Sequence, residues 1–282
     1  FDAEVMGGIY NTPVEFVYAD YENAPAPKEP SQPLGRHLKG CRIGFDLGGS
    51  DRKCAAVKDG ETLHSEEVVW DPYFQSDINY HYEGILDSLK RAAAKLPRVD
   101  AIGGSAAGVY VENQPRIASL FRGIPEGEFA TKVRPIFLEI AKEFPGVPFV
   151  VLNDGEVTAL AGAVSLEKNS LIGLAMGTSE AVGYVDKDKN VLGWINELAF
   201  APVDLNEDAM QDEWSTDFGV GCKYFSQDAV IKLAENGGFK FEEGLTPAQK
   251  LKVIQALMEK DDELARQIYE DIGVYLAYTI PF

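Results

Sequence analysis

The sequence predicts an α/β protein built as two similar lobes with a cleft between them, each lobe running from strands into helices. Three observations predict it. A strand, a glycine turn and a second strand open at Arg42, as Ile43-Gly-Phe-Asp46-Leu-Gly48-Gly49-Ser50 and then Lys53-Cys-Ala-Ala-Val57. The same theme returns at 170–185 around Gly177-Thr178-Ser179. Apolar residues at helical spacing follow each of the two hairpins.

Residues 1–40 read as a proline-rich arm, because prolines crowd between Pro13 and Pro33 and the 24–33 run cannot hold a regular helix or a central strand. Lys58-Asp-Gly60 closes the first hairpin with a second turn. Ile85, Leu86, Leu89, Ala92, Ala93 and Leu96 keep the helical period and predict a core-facing helix over 80–96. A strand over 99–102 then opens into the small-residue segment Gly103-Gly-Ser-Ala-Ala-Gly108. Val133, Phe137, Ile140 and Phe144 mark a second helix over 128–144. A short buried strand over 149–152 meets Asn153-Asp154-Gly155, where a helix starts and runs to Leu166. In the second half, strands over 170–175 and 181–185 and the polar turn 186–190 lead to another strand. Helices over 227–235, 247–260 and 262–280 close the chain. These divisions give an extension over 1–40, an N-terminal lobe over 41–169 and a C-terminal lobe over 170–282.

A chain of 282 residues is long enough to bury roughly 75% of the surface its unfolded form would expose, and its length suggests about two domains. Lys and Arg number 26 against 45 Asp and Glu, a net charge of −19. Such a surface repels a phosphate backbone, which argues against nucleic acid as a partner. It leaves ATP open, because backbone N–H groups and a divalent metal can neutralise its phosphates. No apolar run approaches the roughly 20 residues of a membrane span. Cys41, Cys54 and Cys222 are far apart and suggest reduced cytosolic thiols rather than a disulfide frame or a zinc knuckle. No signal or transit peptide is visible, and a chain starting without Met is expected to have its true start upstream.

Three segments carry chemistry. In Asp46-Leu-Gly-Gly-Ser50 a carboxylate ends a strand and can hold a hydrated magnesium ion, while two glycines let the backbone approach an anion closely. In Ala175-Met-Gly-Thr-Ser179 a turn of small residues offers N–H groups and a hydroxyl to a phosphate. In Leu152-Asn153-Asp154-Gly155 a buried strand delivers a carboxylate to a helix start, a good place for a general base, although the helix dipole lowers its basicity. Asn153 or Asp154 could equally cap that helix. Neither a P-loop nor a dinucleotide fingerprint is present.

In this order the segments resemble the ROK family of sugar kinases and regulators, within the actin-like ATPase (ribonuclease H-like) superfold. The likeness covers about 42–282. Ile43 to Lys53 looks like the family's first phosphate segment, Asn153 to Gly162 like its base segment, and Gly177-Thr178-Ser179 like its second phosphate turn. Asn196-Glu197-Leu-Ala-Phe200 stands where the family has a Gly-Glu-x-Gly-His sugar segment. The resemblance implies two actin-like lobes with an interlobe cleft and ATP with Mg²⁺ as cofactors. Asp46 would serve the metal through water, and Gly48, Gly49, Ser50, Lys53, Gly177 and Thr178 the nucleotide. Asp154 would be the base, and Asn153 and Glu197 would contact the sugar, with Ser119 or Asn113 as further substrate contacts. The partners expected are a sugar and ATP, with a homodimer as the candidate assembly and the cytoplasm as the location.

The chain departs from the pattern in places. Phe200 stands at the histidine position and Gly221-Cys222 is all that remains of a cysteine cluster, so the family's structural zinc is expected to be absent. Ser179-Glu180 replaces a glycine-rich continuation, and a carboxylate beside phosphates is unfavourable unless it points away or binds the metal. The family carries a further glycine-rich adenosine segment after its last helix, and the sequence stops at Tyr278-Thr-Ile-Pro-Phe282, so either the chain continues beyond Phe282 or the adenosine pocket is incomplete. Asp212-Glu-Trp214-Ser-Thr-Asp217 pairs acids with an aromatic, a chemistry suited to a sugar ring or to a solvated loop. Alongside the kinase stand two other readings, a non-catalytic sugar-binding regulator and an ATPase that uses no sugar.

Overall fold

The structure, a computed structural model, describes residues 2–26, 28, 31–35, 37–193, 195–213 and 215–280. The chain divides into two units, Phe1–Gly173 with Gly183–Ile195, and Leu174–Val182 with Asn196–Phe282.

The first unit begins with a helix that the prolines did not predict, α1 (Asp2–Tyr10), which lies ahead of Pro13 and buries Ile9. The rest of the arm, among the described residues, holds one 3-10 turn (Tyr21–Asn23) and a two-residue edge strand, β1 (Ser31–Gln32). Strands β2 (Cys41–Leu47), β3 (Asp51–Lys58) and β4 (Glu61–Val69) form an antiparallel meander. Burial alternates along β2 and β3, as apolar-in, polar-out pleating requires. The β3–β4 turn is Asp59-Gly60, with φ of 52° and 88°, the left-handed pair that a two-residue hairpin needs. Strand β4 was not predicted, because its mixed polar residues give it almost no apolar alternation.

Asp77 caps α2 (Ile78–Ala93) by accepting from Asn79 N at 3.0 Å, and the helix buries Ile85, Leu89 and Ala92. His81 is fully buried on this helix, with Nε2 3.1 Å from Pro72 O and 3.2 Å from Leu120 O. It pins two loops to α2. Strand β5 (Ala101–Ala106) corrects the sequence-based expectation of a loop at 103–108. It lies parallel to β2, and the Phe45 ring sits where a Cβ on Gly104 would be, so glycine serves packing within the strand there.

A hairpin not predicted from sequence follows, β6 (Val109–Val111) and β7 (Gln114–Ile117), turned by Glu112 (φ 52°) and Asn113 (φ 60°). The single helix expected over 128–144 is broken into α3 (Glu126–Glu128), a π-helical turn (Phe129–Val133) and α4 (Ile136–Lys142). Arg134 N bonds Phe129 O at 3.0 Å, and Pro135 has no N–H to continue the ladder. Of its predicted inner face, Val133, Phe137 and Ile140 are buried and Phe144 is half-buried.

Strand β8 (Phe149–Asn153) completes a five-stranded sheet of order β4-β3-β2-β5-β8, and α5 (Asp154–Ser165) follows it. The main core joins Ile43, Phe45, Ile85, Leu89, Phe137 and Phe149, each of which contributes roughly 1.5–3 kcal/mol by leaving water.

A second sheet has the order β1-β11-β10-β9, with β9 (Leu171–Met176), β10 (Glu180–Val185) and β11 (Val191–Leu192). The second unit holds α6 (Gln227–Asn236), α7 (Pro247–Met258) and α8 (Glu263–Thr279), close to the predicted spans. Ser226, Thr246 and Asp262 cap them in turn. Phe225, Val230, Ile254 and Ile268 form their shared core. Among the described residues no helix is long and apolar enough to cross a membrane.

Candidate functional site

In the first unit, sheet register sets three polar residues in a row: Lys53 on β3 and Ser105 on β5 both stand opposite Asp46 on β2. Ser105 Oγ donates to Asp46 Oδ1 at 2.6 Å. Lys53 Nζ lies 2.7 Å from Asp51 Oδ1 and 3.9 Å from Asp46 Oδ2. Burial alone would raise the Asp51 pKa, but hydrogen bonds from Lys53 and Ser50 hold it below the usual carboxylate value. The hydrogen bond to Asp51 raises Lys53 in return. Lys53 is therefore committed to a neighbour.

The turn itself is clasped from outside. Gly48 N donates to Asp51 O at 2.9 Å, Trp70 Nε1 to Gly48 O at 2.8 Å and Trp70 N to Ser50 O at 3.1 Å. Among the described residues nothing accepts from Gly49 N or Ser50 N, so two adjacent N–H groups stay available to an anion. Glycine at 49 is required by a neighbour as well, since a Cβ there would overlap Tyr73 Oη and Cζ.

At the end of β8, Asn153 caps α5. Its Oδ1 accepts from Gly155 N at 2.8 Å, Glu156 Oε2 accepts from Asn153 N at 3.3 Å, and Asn153 Nδ2 donates to Gly108 O at 2.9 Å. Asp154, the first residue of α5, is released from that task and is half-buried. Its carboxylate accepts a 3.2 Å bond from Gly155 N, at Oδ1. Burial raises the Asp154 pKa, the charge on Asp46 raises it further, and the backbone N–H groups of the helix start oppose both without prevailing. Burial thus outweighs the hydrogen bonds of the helix start here. Glu156, which sequence reasoning passed over, is pushed up to about 7 by burial.

The other predicted contacts of this unit have partners of their own. Asn113 Nδ2 donates to Phe149 O and its Oδ1 accepts from Val151 N, both at 2.8 Å. Ser119 opens the 3-10 turn Ser119–Phe121, half-buried, and its carbonyl accepts from Arg122 N at 3.1 Å. No hydrogen bond joins either residue to Asp46, Asn153 or Asp154 among the described residues.

In the second unit, Gly177 N donates to Ser179 O at 2.9 Å and Gln227 N donates to Gly177 O at 2.9 Å. Gly177 and Thr178 are exposed, and a Cβ on Gly177 would meet nothing within 4 Å. Glu180 is 6% exposed, lies close to Gly221 and has no hydrogen-bond partner for Oε2. Burial first, and the charge of Glu197 second, push its pKa up to about 7. Glu197 is half-buried ahead of the 3-10 turn Leu198–Phe200. Cys222 is buried, and burial pushes its thiol up to about 12. Asp212 Oδ2 accepts from Ser215 N at 2.7 Å within the acidic loop, and Trp214 lies outside the described residues. Among the described residues no group of three or more His, Cys, Asp or Glu is arranged to hold a metal ion.

No signal in the sequence marks Ser105 or Glu180 for these surroundings. Register across the sheet brings Ser105 to Asp46, and the fold of the second unit buries Glu180.

No protein-family profile and no curated protein matches the chain. Solved structures do. A ROK family transcriptional regulator, homologous to the E. coli MLC protein, matches with a TM-score of 0.65 at 20% identity over 86% of this chain. The match spans 62% of that regulator's length. A ROK family glucokinase from Streptomyces griseus, in complex with glucose and AMPPNP, matches with a TM-score of 0.62 at 20% identity, over 86% of this chain and 78% of its own. A ROK hexokinase from Thermus thermophilus matches with a TM-score of 0.58 at 17% identity, over 85% and 76%. The α/β fold of this chain is therefore that of ROK family proteins, sugar kinases and a regulator among them.

Proposed function

We propose that the protein binds a sugar and Mg²⁺-ATP and transfers the γ-phosphoryl group to a sugar hydroxyl, with Asp154 as the general base. One observation carries the reading: Asp154 is spared from capping by Asn153, has a raised pKa, and feels the charge of Asp46 at the end of the glycine-turn strand. A carboxylate with more than ordinary basicity next to an anion-binding turn suits proton abstraction during phosphoryl transfer.

The residues fit the nucleotide. Ser105 bonds Asp46 at Oδ1, Oδ2 with Lys53 3.9 Å away would hold a hydrated cation, and Gly49 and Ser50 offer two N–H groups to phosphate oxygens. When bound, Mg²⁺-ATP supplies the transferable group and the neutralising charge. Gly48 shapes the first turn, Lys53 sets its charge, and Gly177 and Thr178 are the further phosphate contacts. Asp154 holds the hydroxyl proton at Oδ2, the oxygen clear of Gly155 N. Glu197 serves a sugar hydroxyl. Asn153 acts through the helix start it caps, with Ser119 and Asn113 kept as outer substrate contacts. The three free, buried cysteines suit a reducing compartment.

Replacing Asp154 by Asn should lower kcat in a sugar-dependent ADP-release assay by about 10² to 10⁴ while sugar binding persists. Unchanged turnover would remove the base assignment. A panel of hexoses, amino sugars and acidic sugars in the same assay identifies the substrate. The second reading, a sugar-binding regulator without catalysis, is favoured by Phe200 at the histidine position and by the likeness to a regulator. Calorimetry with Mg²⁺-ATP separates the two, since a regulator that has lost nucleotide use gives no binding heat at millimolar nucleotide.

A further inference from the structure

The first glycine turn has an electrostatic deficit. Asp46 and Asp51 stand beside it, and the cation of its own hairpin, Lys53, is held by Asp51 at 2.7 Å. An anion approaching Gly49 N and Ser50 N needs another positive group. Arg122 is in place. Its guanidinium carbon lies 3.7 Å from the centroid of the Tyr73 ring, and the same ring touches the face of Gly49, with Cε2 2.6 Å from where a Cβ would stand. Arg122 is exposed and makes no ion pair among the described residues, so its N–H donors stay available while the stacking fixes its plane.

The loops that carry this pair are not free to wander. Tyr73 follows Pro72, Arg122 follows Leu120 by two residues, and His81 Nε2 reaches the carbonyls of both Pro72 and Leu120. The Phe121 ring lies 5.0 Å from the His81 ring and is buried beside it. The glycine turn is held in turn by Trp70. All of these residues belong to the first unit.

We propose that Arg122, stacked on Tyr73 against Gly49, is an anion-recognising corner that binds a phosphate or carboxylate oxyanion at the first glycine turn. The proposal rests on that turn being the phosphate site of the kinase reading. Two sources carry the chemistry, the terminal phosphate of the nucleotide or an acidic group on the sugar.

The test measures dissociation constants by calorimetry on the full chain, with three probes: inorganic tripolyphosphate with magnesium, Mg²⁺-ATP, and a uronic acid beside its neutral hexose. Arg122→Ala should weaken at least one anionic probe by about tenfold or more, the worth of a charge-assisted hydrogen bond. The neutral hexose should be unaffected. Loss confined to tripolyphosphate and ATP assigns the nucleotide as source, and loss confined to the uronic acid assigns the sugar. Arg122→Lys should recover part of the loss. Tyr73→Phe, which keeps the stack, should bind anions within about twofold of the native chain, whereas Tyr73→Ala should resemble Arg122→Ala. A role in packing alone predicts lower thermal stability with every dissociation constant unchanged, and that result overturns the proposal. Its failure is separable from failure of the kinase reading: anion binding is measured without turnover, whereas Asp154→Asn is judged on turnover alone.

Discussion

The turn at 48–50 and the turn at 177–179 share a pattern, small residues between two strands with an acid just beyond, and their acids live in opposite surroundings. Asp51 is bonded by Lys53 and Ser50 and stays ionised below the ordinary carboxylate value. Glu180 is enclosed in the second unit with no cation bonded to it among the described residues, and burial drives it toward the protonated form. The glycines differ too. Gly49 is a packing necessity under Tyr73, while Gly177 faces open space. A repeated sequence theme thus reports a repeated backbone route, and the chemistry at each repeat is set by what packs on it.

The largest effect expected from this contrast comes from Glu180→Gln. The folded-state pKa of about 7 lies above the ordinary 4.5, so the folded chain keeps a proton that the unfolded chain has lost between those values. Stability due to this group is complete below about pH 4.5 and is lost as pH rises to about 7. The Gln variant should match the native chain at low pH and exceed it above neutrality, by on the order of 3 kcal/mol. Denaturant midpoints at pH 4.5 and 8 check this; equal differences at both would place Glu180 in an ionised state like that of Asp51.

Next comes a pair of glycine variants. Gly49→Val should cost about 1–3 kcal/mol by forcing Tyr73 aside, and Gly177→Val should leave stability within about 0.5 kcal/mol. Thermal melting of the two side by side is enough, and equal losses would erase the packing difference between the turns. The smallest effect is expected from Asp51→Asn, which removes a partly exposed ion pair and should cost no more than about 1 kcal/mol. Added salt should shrink it further. A larger, salt-independent loss would show that the pair is structural.

What could be read from the sequence follows from how local each signal is. The Asp46 hairpin, the 153–154 helix start and the last three helices were visible because turn residues, caps and apolar periods lie within a few positions of one another. Strand β4 and the 109–117 hairpin were hidden, since one is polar and mostly exposed and the other is very short. Gly103-Gly104 suggested a loop because the ring of Phe45, which makes glycine necessary in a strand, is 59 residues away in the chain. The site was half legible for the same reason. Asp46, Asp154 and the glycines announce themselves, whereas Ser105 beside Asp46 depends on parallel register, and the choice of Asn153 over Asp154 as cap depends on Gly108 and Glu156.

Strand β8 is an outer strand of its sheet, and such a border is a template onto which another polypeptide can zip and start an aggregate. Here the amide of Asn113 already engages Phe149 O and Val151 N, the two groups a newcomer would seize. One side chain, reaching back from a hairpin tip, imitates a neighbouring peptide and leaves that stretch of border with nothing to recruit.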